Sequence, residues 1–363
     1  MRKFKIAICF LVLISLLFPV INYETASVKG DGGVLPLFET WLHQSSQNAI
    51  VAWNGNEEIL ILSTNVKSEI NGTAIQILPL PSYPEIKEGN ESSFHKISEI
   101  VGNVYYKTKE GPTPLGGFTG GGGIEILFTT QIGVHNLTVV KVNDSADFTN
   151  FLRETLEERN QTLIQKFDAL FPNFENIAEK YVQQNITYFV VDDIETKEDT
   201  RTVQPIIYRF NTSYLYYPMM MTSMIFDFSP PQKGYYYNSI VINIFTITYD
   251  LPKDKHILEN GFERNALFEI GKNDLKEISP EIAGMFDGET WLGSYSVRVR
   301  LDEAKTSKVF AQDFIVKETY TLPSFDWVVA LIVVCEVGLI VIFSTYLLIL
   351  TKKIPRPKIM KNK

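Results

Sequence analysis

The strongest constraint on this chain lies near its C-terminus, where Trp327 to Leu350 reads WVVALIVVCEVGLIVIFSTYLLIL. These 24 residues are apolar except for Glu336 and the Ser344-Thr345 pair. That is enough helix to cross a bilayer core with some tilt. The tail that follows, TKKIPRPKIMKNK, carries six basic residues and no acid. Positive charge marks the cytoplasmic flank of a span. The sequence therefore predicts one transmembrane helix over 327–350, a basic cytoplasmic tail over 351–363, and everything before them outside the cell membrane.

The N-terminus agrees with that topology. Arg2, Lys3 and Lys5 precede an apolar run, Ile6 to Val20, that is short for a span and has the length of a secretory signal. A signal peptide over 1–26 would end at Ala26, although Glu24 departs from the small-residue cleavage pattern. An uncleaved N-terminal anchor is the alternative.

About 300 residues are left for the exterior, room for one large domain or two ordinary ones. The formal charge of −8 becomes −17 over residues 6–350 once the basic ends are set aside. So acidic an ectodomain argues against nucleic acid and against anionic lipid surfaces as partners. The only cysteines, Cys9 and Cys335, fall one in each apolar run. The exterior therefore has no disulfide scaffold, cysteine nucleophile or thiolate zinc site. Seven Asn-x-Ser/Thr triplets begin at Asn71, Asn90, Asn136, Asn143, Asn160, Asn185 and Asn211. They predict a glycoprotein surface, and with this style of signal and tail an archaeal host.

Patterning predicts a strand-rich α+β ectodomain with a few inserted helices. Strands are expected over 49–53 and 58–63 about an Asn54-Gly55-Asn56 turn, over 73–81 with Pro79 and Pro81 forcing an edge, and over 124–130, 133–142 and 187–194. Helical spacing runs over 92–107, from an Asp144 or Ser145 cap through 156, and over 174–182. The stretch 203–249 reads as β-rich, in the runs VQPIIYRF, YYPMMM, MIFDF and SIVINIFTITYD. TWLGSYSVRVRLDE (290–303) is expected to pair with KVFAQDFIVKE (308–318) as a hairpin. The domain boundaries follow as 27–261 for the main ectodomain and 262–322 for a small β-rich subdomain.

Motif chemistry is sparse. GPTPLGGFTGGGG (111–123) precedes a strand and lacks Lys-Ser/Thr, so it reads as a flexible loop and not as a phosphate cradle. His43, His95, His135 and His256 show no metal-ligand spacing, and no HExxH, GxSxG or SxxK occurs. DDIETKED (192–199) reads as a solvated hairpin tip, lacking the glycine of a calcium loop. No metal, cofactor or catalytic residue is assigned. Glu336, tenth in the apolar run, is costly near a bilayer centre, about 2.5–3.5 kcal/mol on insertion scales. It is either a tolerated protonated carboxyl or an intramembrane contact to another membrane protein, with Gly338 allowing close approach.

The runs SSQNAIVAWNGNEEILILS, ILPLPSYPEI, QIGVHNLTVVKVNDSADFTNFL, YVQQNITYFVVDDI, VQPIIYRFNTSYLYYPMMMTS and SIVINIFTITYDLPKDKHI, in that order, resemble an uncharacterised family of exported bacterial and archaeal proteins. The resemblance spans roughly residues 40 to 260. It implies an exported location and no reaction. The expectation is a single-pass surface protein whose ectodomain binds or scaffolds envelope components, glycans included, or serves as an accessory subunit of a membrane complex. An exported hydrolase with dispersed catalytic residues is the alternative, and it would bring several of the four histidines and nearby carboxylates together in one polar pocket.

Overall fold

The computed structural model describes residues 33–36, 42–68, 71–102, 124–159, 173–196, 201–222, 239–300 and 307–320. Two units divide the chain, Met1–Glu318 and Thr319–Lys363; the second is described only at the two-residue strand Thr319–Tyr320. Among the described residues the first unit carries an eight-stranded sheet, a five-stranded sheet and a two-stranded ribbon, with helices on the two larger sheets.

The Asn54-Gly55-Asn56 turn joins β2 (Leu42–Trp53) to β3 (Glu57–Ser68) as expected. Asn54 Oδ1 accepts from the Asn56 and Glu57 amides at 3.1 and 3.0 Å, and Gly55 supplies φ of +101°. This hairpin is the centre of the larger sheet. β10 (Ile206–Asn211) and then β5 (Glu85–Glu88) extend it beyond β3, and β9 (Arg201–Thr202) pairs with the far end of β3. On the other side lie β12 (Ser239–Thr248), parallel to β2, then β14 (Thr290–Arg300) and β13 (Glu263–Ile270) at the edge. Residues 263–300 thus add two strands to the sheet that the N-terminal hairpin begins.

The smaller sheet is antiparallel, in the order β1 (Gly33–Pro36), β4 (Gly72–Leu80), β8 (Tyr188–Thr196), β7 (His135–Lys141), β6 (Glu125–Ile132). Proline behaves here as its missing N–H requires. Among the described residues β1 pairs with β4 only as far as Ile77, and Pro79 has β8 on one side alone.

Alternation sorts each strand between two cores. Ala49, Val51 and Trp53 of β2 join Leu60 and Leu62 in one cluster, whereas Ile50 and Ala52 join Ile59 and Ile61 in another. The second cluster is closed by α1 (Glu91–Val101), α6 (Lys272–Ile278) and α7 (Pro280–Met285) through Ile97, Leu275, Ile278 and Ile282. The first cluster takes in the smaller sheet with α2 (Ser145–Arg159) and α3 (Phe174–Gln183). Asp144 Oδ1 caps α2 by accepting from the Ala146 and Asp147 amides. The helical faces read from spacing are the buried ones: Phe148, Phe151, Leu152 and Leu156 on α2, and Phe174, Ile177, Ala178 and Tyr181 on α3. The Phe148 ring lies 4.6 Å from Phe189 and 5.4 Å from Phe174, in tilted geometry. The layer order is helices, sheet, sheet, helices.

Three expectations are corrected. After β11 (Leu215–Tyr217) the methionine run is one helical turn, α4 (Met219–Thr222), entered through Pro218 and wholly buried. Lys308–Phe310 is a 3₁₀ turn capped by Ser307, and the strand after it, β15 (Phe314–Val316), pairs with β11 instead of β14. The reason is that β14 already has β12 and β13 on its two sides, leaving no free edge. Finally, Asp192 and Asp193 are not at a solvated tip. They sit inside β8, flanked by β4 and β7, at 2% and 5% exposure. Among the described residues no helix is long and apolar enough to cross a membrane; the run 327–350 with Glu336 and the glycine-rich stretch 111–123 lie outside them.

Candidate functional site

Cross-strand register divides one face of the larger sheet into a polar and an apolar half. Asn65, Ser46, Val241 and Arg298 form one row; Ser63, Asn48, Asn243, Ser296 and Glu263 form the next. The following rows, Ile61–Ile50–Phe245 and Ile59–Ala52–Ile247–Leu292, are the apolar half that α1, α6 and α7 cover. A shallow cleft of about 340 Å³ lies on the polar half, lined by Asn243, Glu263, Ser296 and Arg298 with Val241 and Gly261. Its side chains are held in place by neighbours. Asn243 Nδ2 donates to Asn48 Oδ1 at 3.0 Å, and Asn265 Nδ2 donates to Ser296 Oγ at 2.9 Å. Arg298 Nη1 donates to Ser239 Oγ at 3.4 Å. The lining offers amide, hydroxyl, carboxylate and guanidinium groups, a set suited to hydrogen-bonding a hydroxylated ligand.

Three further polar groups are buried beside the first core. Glu58 Oε2 accepts from the Tyr216 amide at 2.7 Å, and its Oε1 has no hydrogen-bond partner. Asp313 Oδ1 accepts from the Tyr181 hydroxyl and the Met220 amide, both at 2.9 Å, while Oδ2 has none. Burial drives Glu58 well above the ordinary glutamate range, with the Tyr216 amide opposing it. Burial likewise pushes Asp313 up to about 6, against the pull of its amide and tyrosine donors. His135 Nδ1 lies 2.5 Å from Asp192 Oδ2 and its Nε2 lies 2.8 Å from the Gln204 carbonyl. Burial by itself would lower this imidazole; the Asp192 charge, the hydrogen bond to it and the carbonyl outweigh that and raise it.

The histidines are dispersed. His95 on α1 and His256 on α5 (Lys255–Glu259) are exposed, His256 reaching the Ile315 carbonyl, and His135 is buried in β7. His43 sits on β2 opposite Lys67. Of the described side chains, none of His95, His135 and His256 lines the cleft. Among the described residues no group of three or more His, Cys, Asp and Glu could hold a metal ion. Of the sequons, Asn71, Asn90, Asn143, Asn185 and Asn211 are exposed; Asn90 is also the N-cap of α1, accepting from the Ser92 amide at 2.9 Å. Asn136 is 1% exposed, with neither amide atom hydrogen-bonded, and a sugar has no room there in the folded strand. Asn160 lies outside the described residues.

Sequence reading missed Glu58, Asp192, Asp313 and the cleft. A signal was available for two of them. Glu58 precedes Leu60 and Leu62 in the inward phase of β3, and Asp192 stands between Val190 and Ile194 in that of β8.

A family model described as "Uncharacterized protein conserved in bacteria" (DUF2330) matches residues 26–231. No curated protein matches the chain. Among solved structures, the chain is similar to a caspase-8/P35 complex chain at 8% identity and a TM-score of 0.38, over 76% of this chain and 97% of that one. It is also similar to a mutated baculovirus P35 after caspase cleavage, at 8% identity and a TM-score of 0.30, over 63% and 76%. At these scores the likeness carries no argument.

Proposed function

We propose, from the premise that the chain belongs to this family of uncharacterised proteins conserved in bacteria, a single-pass cell-surface protein whose ectodomain binds envelope components without transforming them. One observation carries the reading: the cleft on the polar half of the larger sheet, lined among the described residues by Asn243, Glu263, Ser296 and Arg298 and by no histidine. Such a lining grips hydroxyls and carbonyls, and its one hydroxyl, Ser296 Oγ, is hydrogen-bonded to the Asn265 amide group and to no general base. The apolar run 327–350, the basic tail and the N-terminal signal support its location, exported and anchored in the cell membrane. Sugars would occupy the exposed sequons, from Asn71 to Asn211, and Glu336 would meet another membrane protein. The host would be archaeal, in keeping with the style of signal and tail.

The test is binding of the detergent-solubilised full chain to envelope polysaccharide from its own host. The wild type should retain it, and Arg298→Ala with Asn243→Ala should lose affinity on the order of tenfold, one to two good hydrogen bonds' worth. Release of shortened glycan products during the incubation would replace this reading with the hydrolase.

A further inference from the structure

We infer that the ectodomain is a proton-loaded fold, tightest in a mildly acidic exterior, whose segment 308–316 loosens as the surroundings turn neutral to alkaline. The argument starts from what each buried group faces. Asp313 faces the Tyr181 hydroxyl of α3 and the Met220 amide of α4, with the Met219 amide and the Tyr216 hydroxyl also pulling on it and Tyr214 near enough to feel its charge. Glu58 faces the Tyr216 amide, with the same two tyrosines nearby. Among the described residues neither carboxyl meets a lysine or arginine, and each keeps one oxygen with no hydrogen-bond partner. A buried carboxylate without a cation is costly, and the group resolves that by holding its proton.

His135 reaches the same end by another route. Both ring nitrogens face acceptors, the Asp192 carboxylate and the Gln204 carbonyl, so both must donate, and only the imidazolium does. Gln76, opposite Asp192 in the register, brings no charge to it. Three buried sites thus hold protons that an unfolded chain would release. Asp254, equally buried, differs in its surroundings: Arg264 Nη1 lies 2.9 Å from it.

The direction follows by linkage. Asp313 is raised, so its contribution is complete below the unfolded value of 3.8 and is lost as pH climbs through about 6. Glu58 is raised in the same sense, from 4.5. His135 is also raised, so its contribution is complete below 6.5 and fades above that. All three act together, and none opposes. Asp313 alone corresponds to roughly a hundredfold in the folded-to-unfolded ratio across its window. The local consequence falls on 308–316, because Asp313 ties that segment to α3 and α4 and stands just before β15.

The experiment is thermal melting of the full chain in detergent from about pH 8 to about pH 5, with hydrogen exchange of 308–316 alongside. The wild type should gain several degrees toward acid, roughly 2–4 °C per kcal/mol for a chain this size, and exchange in 308–316 should slow. Glu58→Gln with Asp313→Asn, which keep the neutral shape, should remove most of that slope. A melting point that is flat or falls toward acid overturns the inference, as does a double variant that keeps the wild-type slope. Should the variant fail to fold, proton uptake on refolding the wild type near pH 6 decides. Net uptake upholds the proposal; no uptake, or release, overturns it.

Discussion

Asp254 and Asp313 are a matched pair. Both are aspartates at 7% and 4% exposure, and both accept from a tyrosine hydroxyl, Tyr295 at 2.8 Å and Tyr181 at 2.9 Å. They differ by one arginine. Arg264 donates to Asp254 at 2.9 Å from the edge strand, where solvent still reaches the guanidinium. Asp313 has backbone amide and tyrosine donors only, sealed between α3, α4 and β15. The contrast teaches that a tyrosine supplies geometry, while the charge state is set by the presence of a cation and a route to water.

The comparison breaks most sharply if the arginine is removed. Arg264→Met should leave Asp254 buried beside Tyr295 with no cation. Breaking a fully buried pair costs about 3–5 kcal/mol, and partial exposure of Arg264 reduces the expectation to about 2 kcal/mol near pH 7. Urea unfolding of Arg264→Lys beside Arg264→Met should show the lysine variant recover much of the loss, since it restores a cation at the same place. An equal loss in both variants would mean that guanidinium geometry and packing, and not charge, are what Asp254 needs.

The next test exchanges both acids for their amides. Asp254→Asn should destabilise by about 1.5–3 kcal/mol near pH 8, because a charge-assisted bond becomes a neutral one. Asp313→Asn should do the opposite there, since it removes the cost of ionising a buried group, and should be within about 1 kcal/mol of wild type near pH 5. Chemical denaturation of the two variants side by side measures this. The matched pair loses its meaning if both shift in the same direction at pH 8.

How much of this was legible in the sequence depends on the range over which each feature is decided. The hairpin about Gly55 and the apolar faces of α2 and α3 are local, set by turn chemistry and by a 3.6-residue period, and they were read correctly. The pairing of β15 was not, because it depends on which edges remain after β12 and β13 have flanked β14. Asp192 was misread for a related reason. Acidic composition pointed outward, whereas its phase with Val190 and Ile194 pointed inward, and phase won. His135 lies 57 residues away, a separation at which no spacing rule operates; adjacent antiparallel strands bring the two together diagonally. The cleft was invisible because its rows combine β12, β13 and β14, each unremarkable alone.

The smallest expected effect tests whether a cation matters only where water is kept out. Arg209 grips Glu57 with two hydrogen bonds, at 2.7 and 2.6 Å, a better geometry than Arg264 achieves with Asp254. Yet both partners are open to solvent, at 37% and 26% side-chain exposure. Water screens the attraction and would solvate either charge left behind. Arg209→Met should therefore cost less than about 1 kcal/mol, and added salt should reduce that further. Urea unfolding in low and high salt reads both quantities. If Arg209→Met cost as much as Arg264→Met, hydrogen-bond geometry would outrank burial, and the distinction between Asp254 and Asp313 would have to rest on the number of donors each receives instead of on the cation.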